Sequence, residues 1–216
     1  MHAVDRGQEP PELTAVREKY TPKWVGYYRD GKKEKPTDAH WRKFQPRLNE
    51  VFSTLCGYCE ELCEGQVDHF RPKSAYPELV YAWSNWILAC PRCNQKKGEK
   101  WPGRGYVDPC ARTRAAQPEA YFGFDLKTCE IIPRPGLSRG RRQKAFQMIE
   151  DLGLNAVFHR KRRGKWLKAV EKALRGDDRD DPEHSQFIRF VAARDTELSS
   201  ISRAFLAEHG YSVPES

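Results

Sequence analysis

The 216-residue sequence predicts an α+β fold, mostly helical, organised around a small cysteine-rich core. Three observations carry that prediction. Two Cys-x-x-Cys pairs, Cys56-Gly57-Tyr58-Cys59 and Cys90-Pro91-Arg92-Cys93, stand thirty residues apart and enclose a short β-prone segment from Val67 to Lys73. Tyr121 to Asp125 and Cys129 to Pro133, joined by Leu126-Lys127-Thr128, have the pattern of a hairpin. After Gly136 the apolar residues recur at helical spacing.

Taken in order, residues 1–36 carry Pro10, Pro11, Pro22 and Pro36 and read as an arm of short helical or extended pieces. Thr37 or Asp38 is placed to cap a helix bearing Trp41, Phe44, Leu48, Val51 and Phe52, in which Pro46 demands a kink or a late start. Ala145, Phe146, Ile149 and Leu152 predict one helical face, ended by Gly153. Asn155 is placed to cap a next helix with Trp166, Leu167, Val170, Ala173 and Leu174 on its face. Asp181-Pro182 suits the start of a last helical region carrying Phe187, Phe190, Val191, Leu198, Ile201 and Phe205, with Gly210 at its end. The expected organisation is an N-terminal arm and helix over 1–52, a core over 53–110, and a hairpin with helices over 111–216.

Composition excludes several classes. Aromatic residues at 12% are too many for a disordered chain, and charged residues at 31% too many for a membrane protein. The longest apolar runs, Leu79 to Trp83 and Trp86 to Cys90, have five residues, against about 20 for a membrane-spanning helix. Met1 to Gly7 offers no apolar stretch for a signal peptide, so the cytoplasm is the expected compartment. The formal charge of +8 favours a polyanionic partner. It is uneven: Arg134 to Arg175 holds 13 Lys/Arg against three acids, and Asp177 to Glu183 holds five acids and one Arg. The densest basic run, Arg160-Lys161-Arg162-Arg163-Gly164-Lys165, is either a solvated helix face or a phosphate-contacting one.

Seven cysteines in a reducing compartment point to ligands or core residues rather than disulfides. Paired knuckles suit one tetrahedral Zn²⁺ on Cys56, Cys59, Cys90 and Cys93, a closed and therefore structural site. Cys63, Cys110 and Cys129 fit no such spacing. Between the knuckles, Asp68-His69 puts a carboxylate beside an imidazole, Asn85 follows sixteen residues later, and Asn94 lies directly behind the second knuckle.

At these residues the chain resembles the HNH endonucleases whose ββα-metal core is braced by a four-cysteine zinc. The matching pieces are Cys56-Gly-Tyr-Cys59, Asp68-His69-Phe-Arg-Pro-Lys73, Trp83-Ser-Asn85-Trp86 and Cys90-Pro-Arg-Cys93-Asn94-Gln-Lys-Lys-Gly98. The resemblance implies His69 as general base, and Asp68 and Asn94 as ligands of a catalytic Mg²⁺ or Mn²⁺, with Asn standing where the name-giving motif ends in His. It also implies that Asn85 orients the His69 side of the site. Arg71, Lys73 and Lys97 are near enough in sequence to contact phosphates, as are Arg160, Lys161, Arg162 and Arg163 if their helix faces the substrate. Trp83 and Trp86 are assigned to core packing.

Flanking pieces, Val4 to Pro10, Trp101 to Pro109, Tyr121 to Phe124 and Leu152 to Asn155, resemble the PtuB-type HNH proteins of Septu and retron anti-phage systems. That likeness implies a nuclease subunit in antiviral defence beside an SMC-like ATPase, acting on nucleic acid, with DNA favoured over RNA and no membrane partner. The alternative is a non-catalytic zinc-ribbon module that binds nucleic acid or protein. It accounts for the cysteines and the basic runs but has no use for Asp68, His69, Asn85 and Asn94. A redox Cys-x-x-Cys protein fits poorly, since there are two knuckles and no thioredoxin-like pattern.

Overall fold

Leu13, Val16, Tyr20 and Trp24 recur at three- and four-residue steps, and this stripe forms the inner face of helix α1 (Glu12–Tyr28). The computed structural model, which describes residues 1–37, 39–175 and 182–213, thus has a seventeen-residue helix where short pieces were expected. The prolines mislead for a physical reason. Pro11 lies just outside the helix, and Pro22 removes one internal hydrogen bond from a helix that buried Leu13 and Trp24 hold in place.

A 3-10 turn over His40–Phe44 leads into α2 (Gln45–Val51), where Pro46 sits in the first turn and its missing N–H is no loss. Of the two alternatives, the late start is the one adopted. Ala39 precedes the turn instead of Thr37, and Asp38 lies outside the described residues.

Strands β1 (Gln66–His69) and β2 (Trp86–Ala89) pair antiparallel, with Gln66 opposite Ala89 and His69 opposite Trp86. Cys90 then turns the chain directly into α3 (Pro91–Lys97), completing a strand–strand–helix unit. All four residues of β2 are buried, so this strand is the centre of the core. The first knuckle lies on it. Gly57 N–H donates to the Leu88 carbonyl at 2.8 Å. A Cβ at Gly57 would stand 2.7 Å from Phe52 and 2.8 Å from Ile87, so only glycine admits this approach.

The hairpin is present as β3 (Phe122–Asp125) and β4 (Glu130–Pro133). In its link the Asp125 carboxylate accepts from the Lys127 and Thr128 amides, and those bonds hold its pKa low. Helix α4 (Arg139–Leu152) ends as expected at Gly153, whose φ of +63° closes it in the left-handed region. Ala145, Ile149 and Leu152 are buried, but Phe146 is 55% exposed, because the inner face turns through Met148.

Helix α5 (Val157–Ala173) begins after Ala156 with no side-chain cap. Asn155 serves β4 instead: its Oδ1 accepts from Ile131 N–H and its Nδ2 donates to the Ile131 carbonyl, both at 2.8 Å. An unpaired strand edge offers a donor and an acceptor together, which satisfies both ends of the amide. On α5, Leu167 and Val170 are buried and Leu174 follows at its end, whereas Ala173 is exposed.

The last helical region is two helices, α6 (Pro182–Ala192) and α7 (Ser199–Glu208), with Leu198 at φ +56° between them. Pro182 opens α6, while Asp181 and most of the acidic run lie outside the described residues. Phe205 joins the interior and Phe190 is exposed.

One hydrophobic cluster runs from Met1 to Leu154 and unites α1, α2, both β1 and β2, and α4. A second gathers Leu167, Val170, Val191, Leu198, Ile201 and Leu206. Two consecutive acids of the first knuckle tie the second cluster to the first. Glu60 accepts from the Ser200 hydroxyl at 2.6 Å, and Glu61 pairs with His159 Nδ1 at 2.5 Å. Burial opposes ionisation of Glu60, yet the Met1 ammonium and His2 outweigh it and hold its carboxyl well below the usual range. No helix of the described residues is long and apolar enough to cross a membrane.

Candidate active site and metal centre

The four knuckle sulfurs converge. Cys56, Cys59, Cys90 and Cys93 are all buried, and their sulfurs lie within 4.8 Å of one another. A zinc ion with four bonds of about 2.3 Å sets sulfurs about 3.8 Å apart, and Cys59 and Cys90 stand at 3.9 Å. Local backbone makes the cluster. Glu60 N–H returns to the Cys56 carbonyl in the first knuckle. In the second, Cys90 caps α3 by accepting the Cys93 amide on its sulfur. Donating to Cys56 holds Cys59 and Cys93 well above the usual thiol range, and accepting from Cys56 holds Cys90 below it. Four soft sulfurs this close together leave no position for a further ligand, and the set fits a structural zinc. Cys63, Cys110 and Cys129 are outside it, and burial pushes the Cys63 and Cys110 thiols up to about 12.

The strand between the knuckles presents the reactive groups. On β1, Gln66 and Asp68 share a face, and α3 lies across it with Asn94 and Lys97, a three-residue step apart. Asn94 Nδ2 donates to Gln66 Oε1 at 2.9 Å, and Lys97 Nζ donates to Asp68 Oδ1 at 2.9 Å and to the His69 carbonyl at 2.7 Å. The other Asp68 oxygen accepts the Tyr58 hydroxyl at 2.5 Å. Burial first, then the Asp68 charge, holds that phenol well above its ordinary pKa. Asp68 and Asn94 each offer a hard oxygen donor, a carboxylate and an amide, of the kind that suits Mg²⁺ or Mn²⁺ better than zinc.

His69 ends the strand, buried and perpendicular to the Trp41 ring, with ring centroids 5.0 Å apart. Its Nε2 lies 2.9 Å from the Val80 carbonyl, which also accepts the Trp86 indole N–H at 2.9 Å. A carbonyl only accepts, so Nε2 carries the ring proton and Nδ1 keeps a lone pair. Burial, then the charges of Lys73 and Lys97, push His69 down to about 3 against the pull of the Val80 carbonyl. The ring is therefore neutral at pH 7.

Asn85 clamps the loop that closes on this histidine. Its Oδ1 accepts Arg71 N–H at 2.8 Å, and its Nδ2 donates to the carbonyls of Arg71 and Leu79. Both segments that hold His69, the one following it and the one presenting Val80, are thereby joined. Trp83 and Trp86 are buried core residues.

Two basic residues depart from the sequence expectation. Lys97 is fully buried against Asp68 rather than open to phosphate. Arg163 is buried too, donating to the carbonyls of Cys129 and Leu154 and to Asn155 Oδ1. Both satisfy acceptors inside the fold, so neither is free to meet a polyanion. Arg160 pairs with Glu130 and Arg162 with Glu197, while Lys161 is exposed. Arg71 is exposed beside the Tyr76 and Trp101 rings, and Lys73 lies over Trp24 and Trp41. Lys97→Met is expected to destabilise the fold by about 3–5 kcal/mol in chemical denaturation, because it leaves the Asp68 charge buried without its partner. A loss below about 0.5 kcal/mol would mean a surface role instead.

Tyr58, Trp24, Trp41 and the Val80 carbonyl are not among the site residues that the sequence suggests. Only Tyr58 left a signal there, as a polar side chain held between two ligands.

Residues 56–100 match the HNH endonuclease family. This stretch is an HNH domain. Over 56 residues the chain is 45% identical to the Septu protein PtuB of Bacillus thuringiensis, a match covering 24% of this chain and 22% of that protein. Over 131 residues it is 30% identical to the candidate HNH endonuclease of retron Vc95 from Vibrio cholerae serotype O1 biovar El Tor, covering 57% of this chain and 63% of that protein. The matched region thus spans less than two thirds of either relative. The HNH domain contains both knuckles, β1, β2 and α3, together with every residue that surrounds Asp68 and His69 at bonding distance.

Proposed function

We propose that this chain is a metal-dependent endonuclease that hydrolyses phosphodiester bonds, DNA by preference, within the core spanning residues 53–110. One observation carries the reading: a neutral His69 whose Nδ1 keeps its lone pair sits next to Asp68, on the strand faced by Asn94, inside an HNH domain. His69 Nδ1 would accept the proton of the attacking water. Asp68 and Asn94 would hold Mg²⁺ or Mn²⁺, which supplies charge neutralisation at the scissile phosphate and the leaving oxygen. Asn85 keeps the histidine's supports in register, and zinc on the four cysteines staples α3 to the first knuckle.

Cleavage of plasmid DNA in Mg²⁺ or Mn²⁺, with wild type set against His69→Ala and a structured RNA run in parallel, tests this. Cleavage by wild type alone supports it. Binding without cleavage under every condition would leave a zinc-ribbon binding module.

Arg71, Lys73 and Lys161 are the basic groups best placed for phosphates. Neutralising Arg71 and Lys161 together is expected to flatten the slope of log K against log salt by about 0.9 per lost contact on duplex DNA. Arg163→Ala should leave that slope alone and lower the melting temperature. An unchanged slope in the first variant would remove both residues from the interface.

We further propose a cytoplasmic role in anti-phage defence beside an SMC-like ATPase; the likeness to a Septu protein and a retron protein supports the defence role. Co-expression with such an ATPase, followed by mass measurement of the purified species, tests the partnership. A chain that stays monomeric beside it and cuts equally well alone would be a stand-alone nuclease.

A further inference from the structure

A tyrosine links the cysteine cluster to the reactive strand. Tyr58 lies between Cys56 and Cys59, so ligands on both sides fix its backbone. Its side chain is fully buried, and its one proton goes to Asp68 Oδ2 at 2.5 Å. Lys97 takes the opposite oxygen at 2.9 Å. Two donors on two oxygens fix the plane of a carboxylate and leave each oxygen a lone pair. Phenylalanine would fill the same volume, and burying a hydroxyl is unfavourable unless it is bonded, so the oxygen matters beyond packing.

We infer that Tyr58 is a positioning residue for the divalent-cation site: its hydroxyl holds the Asp68 carboxylate in the orientation that meets the cation. The inference rests on the proposed role of Asp68 as a cation ligand. It gives the first knuckle a second task. The knuckle binds a structural metal with its cysteines and orients a catalytic ligand with the residue between them.

The test uses the full chain with zinc bound. Tyr58→Phe is expected to keep its zinc, measured by elemental analysis. Its Mn²⁺ dissociation constant, measured by electron paramagnetic resonance, should rise about 10–100-fold. The Mn²⁺ concentration for half-maximal cleavage should rise with it, and kcat at saturating Mn²⁺ should change far less. Asp68→Asn is run beside it. If Asp68→Asn loses Mn²⁺ binding and Tyr58→Phe binds like wild type, the role of Tyr58 is overturned and that of Asp68 stands. If Asp68→Asn binds Mn²⁺ like wild type, both fall.

A measurement on wild type covers the case in which Tyr58→Phe fails to fold. Among the nine tyrosines labelled with ¹³C at Cζ, one signal should move on Mg²⁺ titration and stay fixed in Asp68→Asn, because cation binding weakens the phenol's bond to the carboxylate. No moving signal would overturn the inference.

Discussion

Cys93→Ser is expected to abolish zinc binding and, with it, the cooperative unfolding of the HNH domain. Structural zinc binding contributes about 10–16 kcal/mol in small metal-organised folds, whereas a whole domain is stable by only about 5–15 kcal/mol. Cys93 is fully buried on α3, the helix that also carries Asn94 and Lys97. Losing the metal therefore frees the surface that faces β1. Elemental analysis and calorimetry check this together: one zinc per chain with an unchanged melting temperature would end the four-cysteine assignment. Cys63→Ser, Cys110→Ser and Cys129→Ser should each retain the metal.

The second large effect is on turnover. His69→Ala is expected to slow cleavage by about 10²–10⁴-fold, the usual cost of losing a general base, while zinc content and nucleic-acid affinity stay near wild type. Undiminished turnover would make the Asp68-His69 pair structural. The pH dependence has a defined sign. Because His69 is pushed down to about 3 in the folded chain, its basic form persists throughout pH 5 to 8, and wild-type turnover should not fall near 6.5 through protonation of this ring. Stability behaves differently. Below about 6.5 the unfolded chain binds a proton that the folded ring refuses. Stability is therefore lost between about 6.5 and 3 as pH falls, and His69→Ala should flatten that part of the stability profile.

The parts of this molecule legible in sequence are those whose geometry is local. A Cys-x-x-Cys turn places two sulfurs by itself, and Gly153 or Pro46 acts within one helical turn. Lys97 was misread because residue type suggests exposure, while its acceptor on Asp68 lies 29 residues away. Asn155 had the right chemistry for a cap, but the free edge of β4, 24 residues earlier, satisfied the amide at both ends. In α1 the apolar stripe was present, and Pro22 disguised it. The constellation around Asp68 and His69 was visible as a set of residue types. Its wiring was not, because a hydroxyl from the knuckle, a carbonyl at Val80 and the ring of Trp41 come from segments that only tertiary packing brings together.

Glu60 and Glu61 point the two arms of one knuckle loop at two different helices, α7 and α5. The HNH domain of this chain is consequently not a cassette that can be grafted without its surroundings. A chimera that exchanges residues after 154 inherits two buried carboxylates beside the zinc ligands: Glu60 keeps the Met1 ammonium and His2, but Glu61 loses its imidazole. Recombination within such a protein is constrained at that seam, and a foreign helical lobe must bring a counterpart of His159 to receive Glu61.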